Sequence, residues 1–421
     1  MNQPKGGENY FTGRRVLICQ PIMHGFGGST VCTLELAEYL ISVGCRVEIY
    51  TLTYGPQLRE ICERLKVAVH TAEEQPQLSL WDYDLIWVHS EVLPQTMIAE
   101  LPQLEKAASQ GREMPYWVFA HLSPLEDIPD EWPWNEALED KVADIVLYVS
   151  EATREKQQGT IGQSVPIGLF RNPVLDKFVR AEVPGAKELE SVLVVSNHVP
   201  REVWEAIDLL RGKGIRVDVL GVGGERRLVK PEDLFGHDVV VTIGKTVQYA
   251  FAAQTPVYIY DHWGGGGYLN KKNYALARRR NFSGRGFGSK TAQQIADEIV
   301  GEFSGALMRQ NEAIAEDWEE YLMGSFLVNL MCTIEHRTKE GFSERQIKTM
   351  AAAQRICEYR FLRQMWLEMA EERERLLREE NERLRAEVKE YERTRGVKGA
   401  VKNLLRAGKI FAAKRIRGLS K

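Results

Sequence analysis

Apolar residues in this chain fall in two alternating rhythms. Short apolar runs end at turns, and between them lie segments whose apolar residues recur at helical spacing. The first run, 14–21 (RRVLICQP), reads as a buried strand. The turn His24-Gly25-Phe26-Gly27-Gly28-Ser29-Thr30 feeds a helix with Val31, Leu34, Ala37 and Ile41 on one face and Gly44 as its stop. Further strands are expected at 46–53, 67–71, 83–90, 116–121 and 144–150, with helical segments such as 57–66 between them. Strand-helix alternation at this spacing predicts a parallel, doubly wound sheet.

The stretch 171–190, with Pro173 and Pro184-Gly185, breaks the rhythm and reads as a linker. The pattern then restarts. Strands are expected at 191–196, 216–221, 238–243 and 256–261, and helices at 202–212 and 245–254. The fold class is therefore α/β: two Rossmann-like doubly wound domains, then a helical extension. The expected boundaries are a flexible N-terminus at 1–13, a first domain at 14–172, the linker at 173–190 and a second domain at 191–300. Helices follow at 301–360, a coiled coil at 361–392 and a basic tail at 393–421. Ligands in such sheets bind beyond the carboxyl ends of the strands.

In 371–392 (EERERLLREENERLRAEVKEYE) one heptad register puts Glu374, Asn381 and Val388 at a and Ala370, Leu377, Leu384 and Tyr391 at d. An Asn at a fixes the register of a two-stranded parallel coiled coil, so 370–391 is a candidate homodimer seam. A single solvated helix laced with i,i+4 ion pairs is the other reading.

Composition changes the picture at one place. The 421 residues are 44% hydrophobic and 27% charged, an ordinary globular balance. The net charge is −4, but 393–421 holds ten Lys/Arg and no Asp/Glu, which leaves the first 392 residues at −14. Such a body argues against a nucleic-acid partner. The tail's Val397, Val401, Leu404, Leu405, Phe411, Ile416 and Leu419 approximate one helical stripe among cations, the pattern of a helix lying on an anionic membrane surface. No secretory signal or spanning run is visible, and the six cysteines include no C-x-x-C pair. These features point to a reduced, cytoplasmic protein, peripheral at the inner face of the cell membrane.

The strand-end turns carry the candidate chemistry. Gly27, Gly28 and Ser29 offer helix-start amides to an anionic or hydroxyl-rich ligand, although the spacing departs from the dinucleotide fingerprint at Thr30. Gly244-Lys245-Thr246-Val247 resembles the end of a P-loop without its opening glycine, and supplies amides and a cation for a diphosphate. Asp261-His262-Trp263 precedes four consecutive glycines, 264–267, expected as a loop where backbone approaches a ligand. His24, His121, His198 and His262 fall at or just after expected strand ends, where a general base would be placed. No metal-ligand spacing and no G-x-S-x-G elbow is present, so a protein-held metal and a serine hydrolase are disfavoured.

Over roughly 14–335 the chain resembles the GT-B glycosyltransferases, in particular the group 1, family 4-like enzymes. Gly25-Phe26-Gly27-Gly28-Ser29-Thr30 with the helix after it, Ala143–Glu151 (ADIVLYVSE), Arg171-Asn172-Pro173-Val174 and Gly244 with 245–257 (KTVQYAFAAQTPV) carry the resemblance. The family's Glu-x7-Glu falls on Val241 and Tyr249, and its glycine before Pro-Val falls on Gln254, so this is a variant lacking both carboxylates. The resemblance implies transfer of a sugar from a nucleotide-diphosphate sugar to a hydroxyl acceptor. A glycan or lipid-linked acceptor in bacterial-type surface polysaccharide or glycolipid synthesis is the implied context, with no cofactor and no metal. Donor-side candidates are Asn197, Arg201, Gly221, Gly244, Lys245, Thr246, Val247, Tyr249, Asp261 and His262. Acceptor-side candidates are Gly27, Gly28 and Ser29. His24 or His121 would be the base in an inverting reaction. A nucleotide-sugar epimerase of the same fold, or an inactive relative acting as a coiled-coil partner, are the alternatives.

Overall fold

The computed structural model describes residues 8–125, 132, 136–157, 159, 164–182, 188–395 and 407. Two sheets organise them. The first contains β1 (Arg15–Met23), β2 (Arg46–Tyr54), β3 (Ala68–Thr71), β4 (Leu85–His89), β5 (Tyr116–His121), β6 (Ile145–Tyr148) and β7 (Ile167–Leu169). They lie in the order β3-β2-β1-β4-β5-β6-β7, every neighbour parallel. The chain winds outward one way from β1 and the other way from β4, so the switch point lies between these two strands. Parallel strands are covered by helices on both faces. That is why β4 is buried along its whole length and why Trp87, Trp117 and Phe119 are sealed in the core.

The second sheet contains β8 (Ser191–Ser196), β9 (Arg216–Gly221), β10 (Val239–Thr242), β11 (Val257–Asp261) and β12 (Gly264–Tyr268) in the order β12-β11-β10-β8-β9. Its switch point is between β8 and β10. The two expected Rossmann-like halves are thus present, and the expected strands fall within a few residues of the observed ones.

β12 corrects one expectation. Gly264–Tyr268, read from sequence as a loop, is an edge strand antiparallel to β11. The glycines are required by neighbouring backbone: a Cβ on Gly265 would sit 2.1 Å from the Ile259 carbonyl oxygen, and one on Gly264, at φ +95°, 2.6 Å from that of Gly288.

Helix α1 (Glu8–Phe11) lies within the stretch expected as flexible, and it buries Phe11. The glycine turn after β1 opens α2 (Gly28–Ser42). Glu136–Val142 (α3) and Glu151–Gln157 (α4) flank β6; Arg201–Gly212 (α5) follows β8, and Lys245–Ala252 (α6) follows β10. After the second sheet the chain returns to the first. Val174 and Leu322 form a parallel bridge, and His336 stacks on Tyr116 at 3.8 Å. Lys339, buried, donates to Asp144 and to the Val142 carbonyl; the Asp144 carboxylate also accepts from the Trp117 and Arg337 amides.

The last described helix, α7, is Glu344–Arg395. Its first part belongs to a compact unit running to Glu358, where Gln354 exchanges hydrogen bonds with the Leu93 backbone. From Tyr359 a second unit begins. There Tyr359, Trp366, Leu367, Leu376 and Leu377 are exposed, and Arg375–Glu379 and Arg378–Glu374 pair along the helix. The tail 393–421 lies, apart from 393–395 and 407, outside the described residues. No helix among the described residues is long and apolar enough to cross a membrane.

Breaking a buried pair leaves an uncompensated charge, at a cost of about 3–5 kcal/mol. Lys339→Met strands Asp144 in this way and should lower the unfolding free energy by about that amount in a denaturant titration. A loss below about 1 kcal/mol would show that this return segment is not held by the pair.

Candidate functional site

The carboxyl ends of β1, β4 and β5 are adjacent in the first sheet, and they gather His24, His89 and His121. His24 is half-buried just beyond β1. Gly27 ends the turn in extended geometry (φ −71°), and α2 starts at Gly28 with no side-chain cap. A Cβ on Gly27 or Gly28 would touch nothing within 4 Å. Neither glycine is required by backbone strain or by packing, and the helix start has no side-chain cap on its first amides.

His121 is 0% exposed, and its Nε2 lies 2.8 Å from Oε1 of Glu139, equally buried on α3. Its ring stacks on Tyr148 at 5.4 Å. The two side chains are close enough to interact, but neither the ring nitrogens nor the carboxylate oxygens make a hydrogen bond. His89 is also buried, and burial pushes its imidazole down to about 3, with His121 acting in the same direction. Next to it Ser90 (φ 52°) and Glu91 (φ 60°) are both left-handed and both buried. Two consecutive strained non-glycine residues at a switch point mark a site where geometry is held against cost. Glu139 and the Ser90–Glu91 turn carried no motif in the sequence. A helical Glu and a Ser-Glu pair after a strand are common, and only the fold brings them beside the histidines.

At the second edge Asp261 ends β11 and is 1% exposed. Its Oδ1 accepts the Trp263 amide at 2.8 Å, while the buried Oδ2 accepts no hydrogen bond and lies 3.8 Å from His262 Nδ1. Burial raises its carboxyl above the ordinary Asp value, against the lowering influence of His262, Arg285 and His198. Around it His198 and His262 lie ring to ring at 6.0 Å, and Arg285 sits 4.5 Å over the ring of Trp263, which is 45% exposed. Gly284 closes this cluster, since a Cβ there would sit 1.9 Å from the Gly264 carbonyl oxygen and 2.5 Å from Asp261 Oδ1. Asn197 is exposed beside His198. Trp263, Arg285 and Gly284 complete a group of which the donor-side set contained Asp261, His262 and Asn197.

Several expected donor contacts stand elsewhere. Lys245, read as a phosphate-facing cation, is 8% exposed, with its Nζ 2.8 Å from Glu35 and 2.9 Å from the Pro173 carbonyl oxygen. Its charge is spent inside the protein. Tyr249, one turn along α6, is likewise buried: its hydroxyl donates to Glu35 at 2.5 Å and its ring stacks on Phe178 at 4.1 Å. Val247 is core. Gly221 answers to backbone, because at φ +112° a Cβ would sit 2.0 Å from the Ser196 carbonyl oxygen. Arg201 has a 90% exposed side chain paired with Glu205 at 2.7 Å. Gly244 (φ +59°) keeps open space around its Cβ position, and Thr246 is half-buried beside it.

No protein family and no curated protein matches the sequence. Solved structures align with this chain at low identity. A glycosyltransferase from Rickettsia africae ESF-5 aligns with TM-score 0.48 and 13% identity over 76% of this chain and 97% of its own. CalG4, the calicheamicin glycosyltransferase, aligns with TM-score 0.40 and 12% identity over 76% and 98%. MnaA of S. aureus, solved with UDP, aligns with TM-score 0.40 and 10% identity over 78% and 100%.

The buried His89 makes a pH prediction. Its folded pKa, about 3, lies below the roughly 6.5 of an unfolded histidine, so the unfolded chain binds the extra proton between these values. The stability this gives is fully present above pH ~6.5 and is lost as pH falls toward 3. In His89→Gln the stability-against-pH curve should be shallower there by up to about 1.4 kcal/mol per pH unit, measured by urea unfolding at pH 7, 5 and 4. Parallel curves for the two proteins would show that His89 does not titrate this way.

Proposed function

We propose that this chain is a glycosyltransferase that binds a nucleotide-diphosphate sugar at the second-sheet edge and passes the sugar to an acceptor hydroxyl held at the first. The observation that carries the reading is the buried Asp261 carboxylate, whose Oδ2 accepts no hydrogen bond and has the His262 ring 3.8 Å away, set between an exposed Trp263 and the donor groups of Arg285, His198 and His262. A buried unpartnered oxygen costs free energy unless a ligand donor satisfies it, and sugar hydroxyls are such donors. The Trp263 face offers stacking to a base or sugar ring. Arg285 supplies charge, and the two histidine rings and the Gly244 turn supply N–H donors, for the diphosphate.

In the reaction an acceptor oxygen forms a bond to the anomeric carbon, and the bond from that carbon to the diphosphate oxygen breaks. The nucleotide leaves with the electron pair, stabilised by fixed charges at the edge. His24, at the open end of β1, takes the acceptor proton when the reaction inverts. His121, sealed against Glu139, shapes the first edge from behind. Charge on the leaving group falls to protein cations, so turnover should survive a metal chelator. The acceptor is a glycan or a lipid-linked glycan.

Asp261→Asn tests the donor site. It removes a buried charge while keeping the acceptor for the Trp263 amide, so it should leave thermal stability at pH 7 unchanged or raised by up to about 1 kcal/mol. Because burial raises the Asp261 pKa, wild type is favoured relative to the variant at acid pH and loses ground as pH rises through that pKa. In a calorimetric titration with a panel of nucleotide sugars, the variant should bind at least tenfold more weakly than wild type. No binding of any nucleotide sugar by wild type would sink the reading in favour of a scaffold. Conversion of the donor without acceptor would replace it by an epimerase.

We also propose that 370–391 pairs with a second copy. Leu377 is exposed and Leu384 half-buried in the single chain, and an in-register copy would bury both on their equivalents around Asn381. Sedimentation should give a dimer for the full chain and a monomer for Leu377→Glu/Leu384→Glu. A monomeric wild type at tens of micromolar contradicts this pairing.

A further inference from the structure

Glu35 on α2 and Lys245 on α6 are 210 positions apart, yet they form a buried charge pair between a helix of the first sheet and a helix of the second. Glu35 Oε2 lies 2.8 Å from Lys245 Nζ, and Oε1 accepts the Tyr249 hydroxyl at 2.5 Å. The Lys245 ammonium also donates to the Pro173 carbonyl, at the start of the segment that joins the two sheets. Beside this pair the Cys32 thiol donates to Asn172 Oδ1 at 3.1 Å, and the Asn172 amide donates to Asn281 Oδ1 at 2.9 Å. Asn172 and Asn281 both hold left-handed backbone, with φ 52° at each. Around the rim lie the half-exposed pairs Lys177–Glu38 and Arg279–Glu155.

The placement has a geometric consequence. α2 begins at the open Gly27–Gly28 turn, and α6 begins at the open Gly244 turn. Glu35 sits in the second turn of α2, and Lys245 is the first residue of α6. A buried ion pair joining these helices fixes the distance between the two turns. Exposed pairs at the rim contribute little and yield to solvent, whereas charges taken out of water can separate only by exposing an unpaired ion.

We propose that Glu35, Lys245 and Tyr249 form a buried polar pin that sets the spacing between the two lobes, and so between the two glycine turns, without touching a ligand. They are positioning residues for the transfer proposed above; the pin itself needs no substrate and is tested without one. The pin holds the halves at the α2–α6 seam, and any opening of the cleft pivots about that seam.

The test is the inter-lobe distance distribution in the full chain, from spin labels at Gln110 and Met308, both exposed, with Cys332 and Cys357 replaced by serine. The native pair should give one narrow distribution. Lys245→Met leaves Glu35 unpaired and should broaden or shift it by several ångströms. If that variant does not fold, the doubly neutral Glu35→Gln/Lys245→Met, which buries no lone charge, decides the matter and should show the same broadening. Tyr249→Phe should broaden it less than either. An unchanged narrow distribution in the double variant overturns the pin. Because no donor is present, failure here is distinct from failure of nucleotide-sugar binding.

Discussion

A parallel strand flanked by helices has no free face, and this constraint governs where the molecule can do chemistry. β4, β10 and β11 are buried from end to end. Polar groups that must meet a ligand are therefore confined to strand ends, and only the carboxyl ends open toward helix N-termini. In the first sheet these ends bring together His24, the strained Ser90–Glu91 turn and the His121–Glu139 contact. In the second they bring together Asp261, His262 and His198, with Trp263 and Arg285 added by the chain that turns back through β12 and the 281–288 loop.

Buried charge performs a separate task. Lys339 on Asp144 returns the C-terminal segment to the first sheet, and Lys245 on Glu35 joins the halves. Buried pairs add little net stability relative to apolar packing, but they are costly to break one partner at a time. They suit contacts whose geometry must be single-valued. Asp261 is the contrasting case: a buried carboxylate with one oxygen that accepts no hydrogen bond and has only the His262 ring at 3.8 Å, whose cost fits a site kept ready for a donor from outside the chain.

The alternating pattern made the fold legible, because period and length of the apolar runs reflect burial directly. Nearly every strand in 14–261 is within a few residues of its expected position. Long-range pairing was not legible. Lys245 after a glycine at a helix start has the local form of a phosphate contact, and nothing nearby in sequence reveals that Glu35 neutralises it. The run 264–267 reads as a loop approached by a ligand because glycine reports only that something is close, and here the close group is the backbone of Ile259 and Gly288. His121 was found by its place at a strand end, but the sealing of its ring against Glu139 depends on α3 packing. Asp261 and His262 were visible as polar residues ending an apolar strand; Arg285 entered the group only once the 281–288 loop folded against them.

A nucleotide sugar held at the second-sheet edge would lie against Trp263, Asp261 and Arg285. Photoaffinity labelling of the full chain with an azido-nucleotide sugar, followed by peptide mapping, tests it most directly. Label should fall within 261–268 or 283–288 and be suppressed by excess unmodified nucleotide sugar. Competable label confined to any other part of the chain, or no competable label at all, would contradict it.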